Sequence, residues 1–197
     1  MTRPMSNVSE KSLNVPNAIT MSRLVLSFVL FALIQAGNYW LWAAGLFVFA
    51  VLTDILDGWI ARKYKLITQL GRILDPFVDK FITSGTFLFL LPFVTSGVSP
   101  WMVVIVLGRE MLVTSLRGFL EQQGADFSAS ASGKFKMFLQ CAAATAALLS
   151  MHPPLAQLPW FTITRDVLLW SMVAVTVWSG YIYVRRAVEL LRPKPLA

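Results

Sequence analysis

Six apolar stretches, at 19–36, 39–59, 77–94, 101–120, 135–151 and 167–184, take up more than half of the 197 residues. Each is near the roughly 17–25 residues that a helix needs to cross a hydrocarbon core. A backbone in lipid must satisfy its own polar groups, which leaves helices and closed barrels. Barrel strands alternate apolar and polar residues over about ten positions, and LVLSFVLFALIQAG and WLWAAGLFVFAVLT do not alternate. The pattern predicts an all-α, polytopic membrane protein with six transmembrane helices. Its composition, 56% hydrophobic and 14% charged, agrees. Residues 1–18 read as a juxtamembrane segment, 19–190 as the membrane domain and 191–197 as a tail. Residues 1–17 are mostly polar and do not resemble a cleaved signal peptide.

Six spans put both termini on one side, together with the 60–76 and 121–134 connections. Sixteen of the 17 Lys and Arg residues fall on that side, and only Arg165 on the other. The positive-inside rule then makes the N- and C-termini cytoplasmic, in a cytoplasmic (inner) membrane. The net charge of +7 reads as topology and contact with anionic membrane lipids. Nucleic acid is not an expected partner, because the basic residues are scattered beside apolar helices and form no compact basic domain. The loops near 37–40, 93–100 and 151–162 carry no charge and read as simple connectors, with His152 an ordinary loop residue. Cys141, the sole cysteine, has no partner for an internal disulfide and reads as a packing residue.

The informative stretch is DILDGWIARKYKLITQLGRILDPFVDK, residues 54–80. An ionised side chain at the centre of a membrane helix costs at least about 2.5–3.5 kcal/mol, so such residues normally face a cavity or a partner. Asp54 and Asp57 are three apart, and Asp75 and Asp79 four apart, so each pair shares a helix face. Four converging carboxylates repel one another unless cations neutralise them. With no His or Cys in the stretch, the oxygen donors suit Mg²⁺ or Mn²⁺. Two such ions can clamp the attacking and leaving oxygens in a displacement at phosphorus. Gly58, Ala61 and Gly71 are small enough to admit a flat ligand, although small residues also serve close helix packing. Arg62 stands where it could meet a diphosphate or anchor the helix at the cytoplasmic face.

Written out, these residues are Asp54-x-x-Asp57-Gly58-x-x-Ala61-Arg62-x₈-Gly71-x-x-x-Asp75-x-x-x-Asp79. This resembles, at every fixed position, the signature of the CDP-alcohol phosphatidyltransferase family. The resemblance implies a six-helix membrane fold, usually a homodimer, that transfers phosphatidyl from CDP-diacylglycerol to an alcohol at the cytoplasmic ends of the second and third helices. It implies that Asp54, Asp57, Asp75 and Asp79 ligate divalent metal, with Asp79 also the general base. It implies that Asn17, Thr20, Asp57, Gly58, Ala61, Arg62 and Gly71 surround the cytidine nucleotide. Pro16-Asn17-Ala18-Ile19-Thr20-x-x-Arg23, Gly108-Arg109-Glu110, Arg117 and Gly133-Lys134-x-Lys136-x-x-x-Gln140 look like the branch whose acceptor is glycerol 3-phosphate. Met137 departs from that branch, where a threonine follows the second lysine. Sister branches using phosphatidylglycerol or an inositol phosphate share the signature. A cation transporter would spread its polar residues through the bilayer midplane, whereas here they crowd at one face.

The acceptor reading rests on charge. A phosphomonoester carries close to two negative charges and calls for fixed cations, best of all arginine. Arg109 and Arg117 are eight residues apart, about 80° around a helix, and Arg109 lies well inside an apolar segment, where an anchor would be costly. Lys134 and Lys136 open the fifth helix pointing in different directions; Lys134 is the one expected to reach the acceptor, and all four residues are candidates for its phosphate. Reporter fusions at either terminus are expected to be active only when they require cytoplasmic exposure; an externally exposed terminus would contradict the topology.

Overall fold

A computed structural model of the chain describes residues 15–63, 69–122 and 131–191. Among them there are seven α-helices and no strand. The helices are α1 (Val15–Ala36), α2 (Trp40–Lys63), α3 (Gln69–Leu90), α4 (Pro100–Gln122), α5 (Ala131–Leu149), the single turn α6 (Pro153–Ala156) and α7 (Pro159–Leu191). The six long helices fall on the six apolar stretches, but two begin about two turns earlier than hydropathy indicates. Helix α3 starts at Gln69 and carries Pro76 in its interior, and α7 starts at Pro159 and runs for 33 residues. In both, a polar or mixed turn is helical because it continues a packed helix, something average hydropathy does not register. By length and composition one helix, α7, can cross a membrane; Thr20–Ala36, Trp40–Asp54 and Phe135–Leu149 are shorter apolar stretches.

The packing is organised about α1 and α5. Helix α1 lies against α2 and α3, α5 against α2, α3 and α7, and α4 against α7 and α3. Helix α5 can touch three neighbours because its inner positions are Ala143, Ala144, Ala146 and Ala147, all buried; small side chains let membrane helices approach closely. Leu30 and Ile34 of α1, Phe47 of α2, Phe87 of α3 and Met172 of α7 fill the space between, each essentially inaccessible. A Cβ on Gly85 would stand 2.2 Å from Cζ of Phe31, so the Phe31 ring of α1 fills the space over Gly85 of α3 and would have to shift to admit a side chain there.

The exterior reverses the pattern of a water-soluble protein. Trp42, Trp101, Phe138, Trp160, Trp170 and Trp178 point outward from four helices, while Arg23, Glu110, Lys136, Gln140, Thr176 and Ser179 are buried. An apolar coat this extensive marks a surface that meets something other than water, and polar groups sequestered inside need partners there.

The connection expected to be a passive connector between α3 and α4 is instead tied down. Arg165 of α7 donates from Nη1 to the Thr95 carbonyl at 2.5 Å and from Nε to Asp166 at 2.9 Å. Ser150, following α5, donates to the same Thr95 carbonyl at 3.1 Å. Gly97, which closes this turn, has φ +72°, and a Cβ there would lie 2.7 Å from Arg165 Nε. Gly37 shares that φ but has only Trp40 at 4.0 Å. Both Gly→Ala substitutions incur the left-handed strain of about 1–2 kcal/mol. Gly97→Ala also displaces the Arg165 clamp, so it should lower the thermal midpoint in detergent clearly more than Gly37→Ala does; equal losses would mean that the clamp contributes nothing.

Candidate active site

At the end of the bundle opposite Arg165, α1 reaches across to both helices that carry the aspartates. Thr20 and Arg23 are three residues apart and so share a face of α1. Thr20 Oγ1 donates to Oδ1 of Asp75 on α3 at 2.5 Å. Arg23, only 3% exposed, pairs through Nη1 with Oδ1 of Asp54 on α2. One helix face thus holds a carboxylate from each of its two neighbours, and Oδ2 of each aspartate takes part in neither bond. The donors are all oxygen, which fits a hard divalent cation. Among the described residues no three ligand-type side chains gather into a metal-sized group. The side chains of Asp57, Gly58, Ala61, Arg62, Gly71 and Asn17 lie outside the described residues.

Asp79, one turn beyond Asp75, is within electrostatic reach of Asp54 and Arg23 and also of Lys136 and Glu110. It also lines a cavity of about 490 Å³ walled by α3, α4, α5 and α7. Both arginines singled out on α4, Arg109 and Arg117, line this cavity, as does Lys136. The structure brings Lys136 there, although Lys134 is the lysine the sequence favours; the Lys134 side chain lies outside the described residues.

Each cation in the cavity has a different environment. Arg109 is held on several sides, donating from Nη2 to Ser179 Oγ at 2.6 Å and from Nη1 to Glu110 Oε1 at 3.2 Å. Its guanidinium lies 5.3 Å from the centre of the Tyr183 ring, a cation–π distance. Lys136 pairs with the same Glu110 Oε1. Lys80 bonds Thr114 Oγ1 and stands 4.0 Å from Glu110 Oε2. Arg117 has a buried Nε with no partner among the described residues.

Sequence reasoning missed Glu110 as the common partner of these cations, Arg23 as the partner of Asp54, and Ser179 and Tyr183 of α7. A signal existed for two of them. Glu110 is an acid inside an apolar segment, and Arg23 lies one turn after Thr20. Ser179 and Tyr183 are unremarkable in sequence and acquire meaning only because α7 packs against α4.

The fold and this one-ended cluster of carboxylates beside a cationic cavity define a membrane-embedded group-transfer site for phosphate-bearing substrates. The family model described as CDP-alcohol phosphatidyltransferase matches residues 13–178, and the chain belongs to that family. It is 34% identical to the CDP-diacylglycerol–glycerol-3-phosphate 3-phosphatidyltransferase of Bacillus subtilis, over 91% of this chain and 97% of the relative. It is 32% identical to the enzyme of the same name from Rickettsia typhi, over 87% and 96%. The CMP-forming cardiolipin synthase of Oryza sativa is 28% identical, over 92% of this chain and 59% of that protein.

Thr20→Val keeps the shape of the side chain but removes the hydrogen bond to Asp75. A bond to a charged group contributes about 1.5–3 kcal/mol, so Thr20→Val is expected to lower the thermal midpoint while Thr20→Ser preserves it. Equal midpoints for Val and Thr would show that α1 does not hold α3 through this contact.

Proposed function

We propose that this chain is a CDP-diacylglycerol–glycerol-3-phosphate 3-phosphatidyltransferase, which transfers phosphatidyl to glycerol 3-phosphate and releases CMP. The observation that carries this reading is the cavity in which Asp79 meets Arg109, Arg117 and Lys136 beside the aspartates held by α1. Two relatives matched over nearly their whole length bear that name. The enzyme spans the cytoplasmic membrane six times with both termini and the active site on the cytoplasmic side, and it works as a homodimer, as the family resemblance implies.

Asp54, Asp57, Asp75 and Asp79 are the residues that would hold the metal, two Mg²⁺ or Mn²⁺ ions. Bound there, divalent cations supply positive charge to the diphosphate oxygens of CDP-diacylglycerol as charge develops on the leaving group. Asn17, Thr20, Gly58, Ala61, Arg62 and Gly71 form the surroundings of the nucleotide. Arg109, Arg117, Lys136 and Lys134 bind the phosphate of the acceptor, and the planar forks of the arginines orient it. That fixes the free primary hydroxyl near Asp79, which accepts its proton. The hydroxyl oxygen forms a bond to the β-phosphorus, the bond from that phosphorus to the bridging oxygen breaks, and CMP departs. No enzyme nucleophile takes part.

Offering labelled CDP-diacylglycerol to purified protein with glycerol 3-phosphate, phosphatidylglycerol or an inositol phosphate in turn tests the assignment. Phosphatidylglycerophosphate should form from the first and no lipid from the others; cardiolipin made from phosphatidylglycerol would move the chain to the sister branch. Asp75→Asn and Asp79→Asn should abolish transfer in protein that still inserts. Arg117→Ala forfeits a charged hydrogen bond of about 1.5–3 kcal/mol, so it should raise the apparent KM for glycerol 3-phosphate at least about tenfold. The KM for CDP-diacylglycerol should change little. Equal losses for both substrates would contradict the division of labour.

A further inference from the structure

Glu110 of α4 faces inward, 7% exposed. Its Oε1 accepts from both Lys136 and Arg109, and its Oε2 is 4.0 Å from Lys80. These contacts draw cations from α3, α4 and α5 to one point on the cavity wall. Lys136 is itself 6% exposed, so without a counter-charge its ammonium would be a buried, unpaired ion, which is strongly destabilising. Among the described residues the cavity is lined by Lys80, Arg109, Arg117 and Lys136 and by the carboxylates of Asp79 and Glu110, so cations predominate. That suits a phosphomonoester, which carries about −1.5 to −2 at neutral pH.

We propose that Glu110 is the positioning and charge-setting residue of the acceptor-phosphate subsite. Its carboxylate holds Lys136 and Arg109 on the cavity wall in the geometry that receives a phosphomonoester, and leaves Arg117 uncommitted to meet the incoming anion. This rests on the acceptor reading above. Glu110 need not touch the acceptor: it acts through the two cations it gathers, as a second layer behind a phosphate site.

The test is Glu110→Gln in the full-length protein in detergent, which keeps the size of the side chain and removes its charge. The expected result is an apparent KM for glycerol 3-phosphate raised at least about tenfold, with the KM for CDP-diacylglycerol within about twofold of wild type. Glu110→Asp, which keeps the charge but retracts it by one methylene, should fall between. An unchanged acceptor KM, or equal rises for both substrates, overturns the proposal. Should Glu110→Gln not fold, Glu110→Gln/Lys136→Met removes both members of the buried pair. Because Glu110 also holds Arg109, the acceptor KM of this double variant should then exceed that of Lys136→Met alone; an acceptor KM equal to that of Lys136→Met overturns the proposal. Calorimetric titration of inorganic phosphate separates this from the acceptor assignment. If wild type makes no lipid from glycerol 3-phosphate, that assignment fails, yet wild type should still bind phosphate and the Gln variant at least about tenfold more weakly. Equal binding, or none by wild type, sinks the role of Glu110.

Discussion

Ionised side chains buried in an apolar bundle have to neutralise one another, and the functional end of this protein is arranged around that requirement. Arg23 answers Asp54, Thr20 donates to Asp75, and Glu110 binds Lys136 and Arg109. Apart from the Glu110–Arg109 pair, which lies within α4, each contact joins two helices, so charge compensation and helix assembly go together. Removing one partner of such a pair leaves a charge with neither water nor a counter-ion, which costs far more than an exposed pair contributes. The apolar core lies between this polar end and the Arg165 clamp at the other.

Much of this was legible in the sequence, for physical reasons. Apolar stretches long enough to span a bilayer are among the strongest sequence signals, and the six long helices lie where those stretches are. Asp54, Asp75 and Asp79 stood out because carboxylates in an apolar context need an explanation, and a spacing of four puts Asp75 and Asp79 on one helix face. The convergence of Arg109 and Arg117 on one cavity followed from the same helical arithmetic. The chain's membership of the CDP-alcohol phosphatidyltransferase family agrees with the signature read from residues 54–80.

What sequence could not supply was contact between elements distant in the chain. Tyr183 lines the cavity and Ser179 holds Arg109 because α7 packs on α4, 70 residues away in the Arg109–Ser179 bond, and neither residue type announces a role. Lys136 lines the cavity because α5 presents that face to α3 and α4, a placement that periodicity leaves open until the neighbours are known. The 93–100 connection appeared passive because it carries no charge, yet its backbone carbonyl at Thr95 serves two buried donors. Main-chain acceptors are invisible to composition.

In the proposed mechanism Asp79 is the meeting point of two half-sites, carboxylates for the diphosphate and cations for the acceptor, so that the acceptor hydroxyl attacks the phosphorus directly. Stereochemistry at that phosphorus tests this most directly. With CDP-diacylglycerol made chiral at the β-phosphorus by oxygen isotopes or sulfur, a single in-line displacement inverts configuration, and inversion is the predicted result. Retention would require two successive displacements through a covalent phosphatidyl-enzyme, and would contradict a site in which acceptor and donor meet at Asp79.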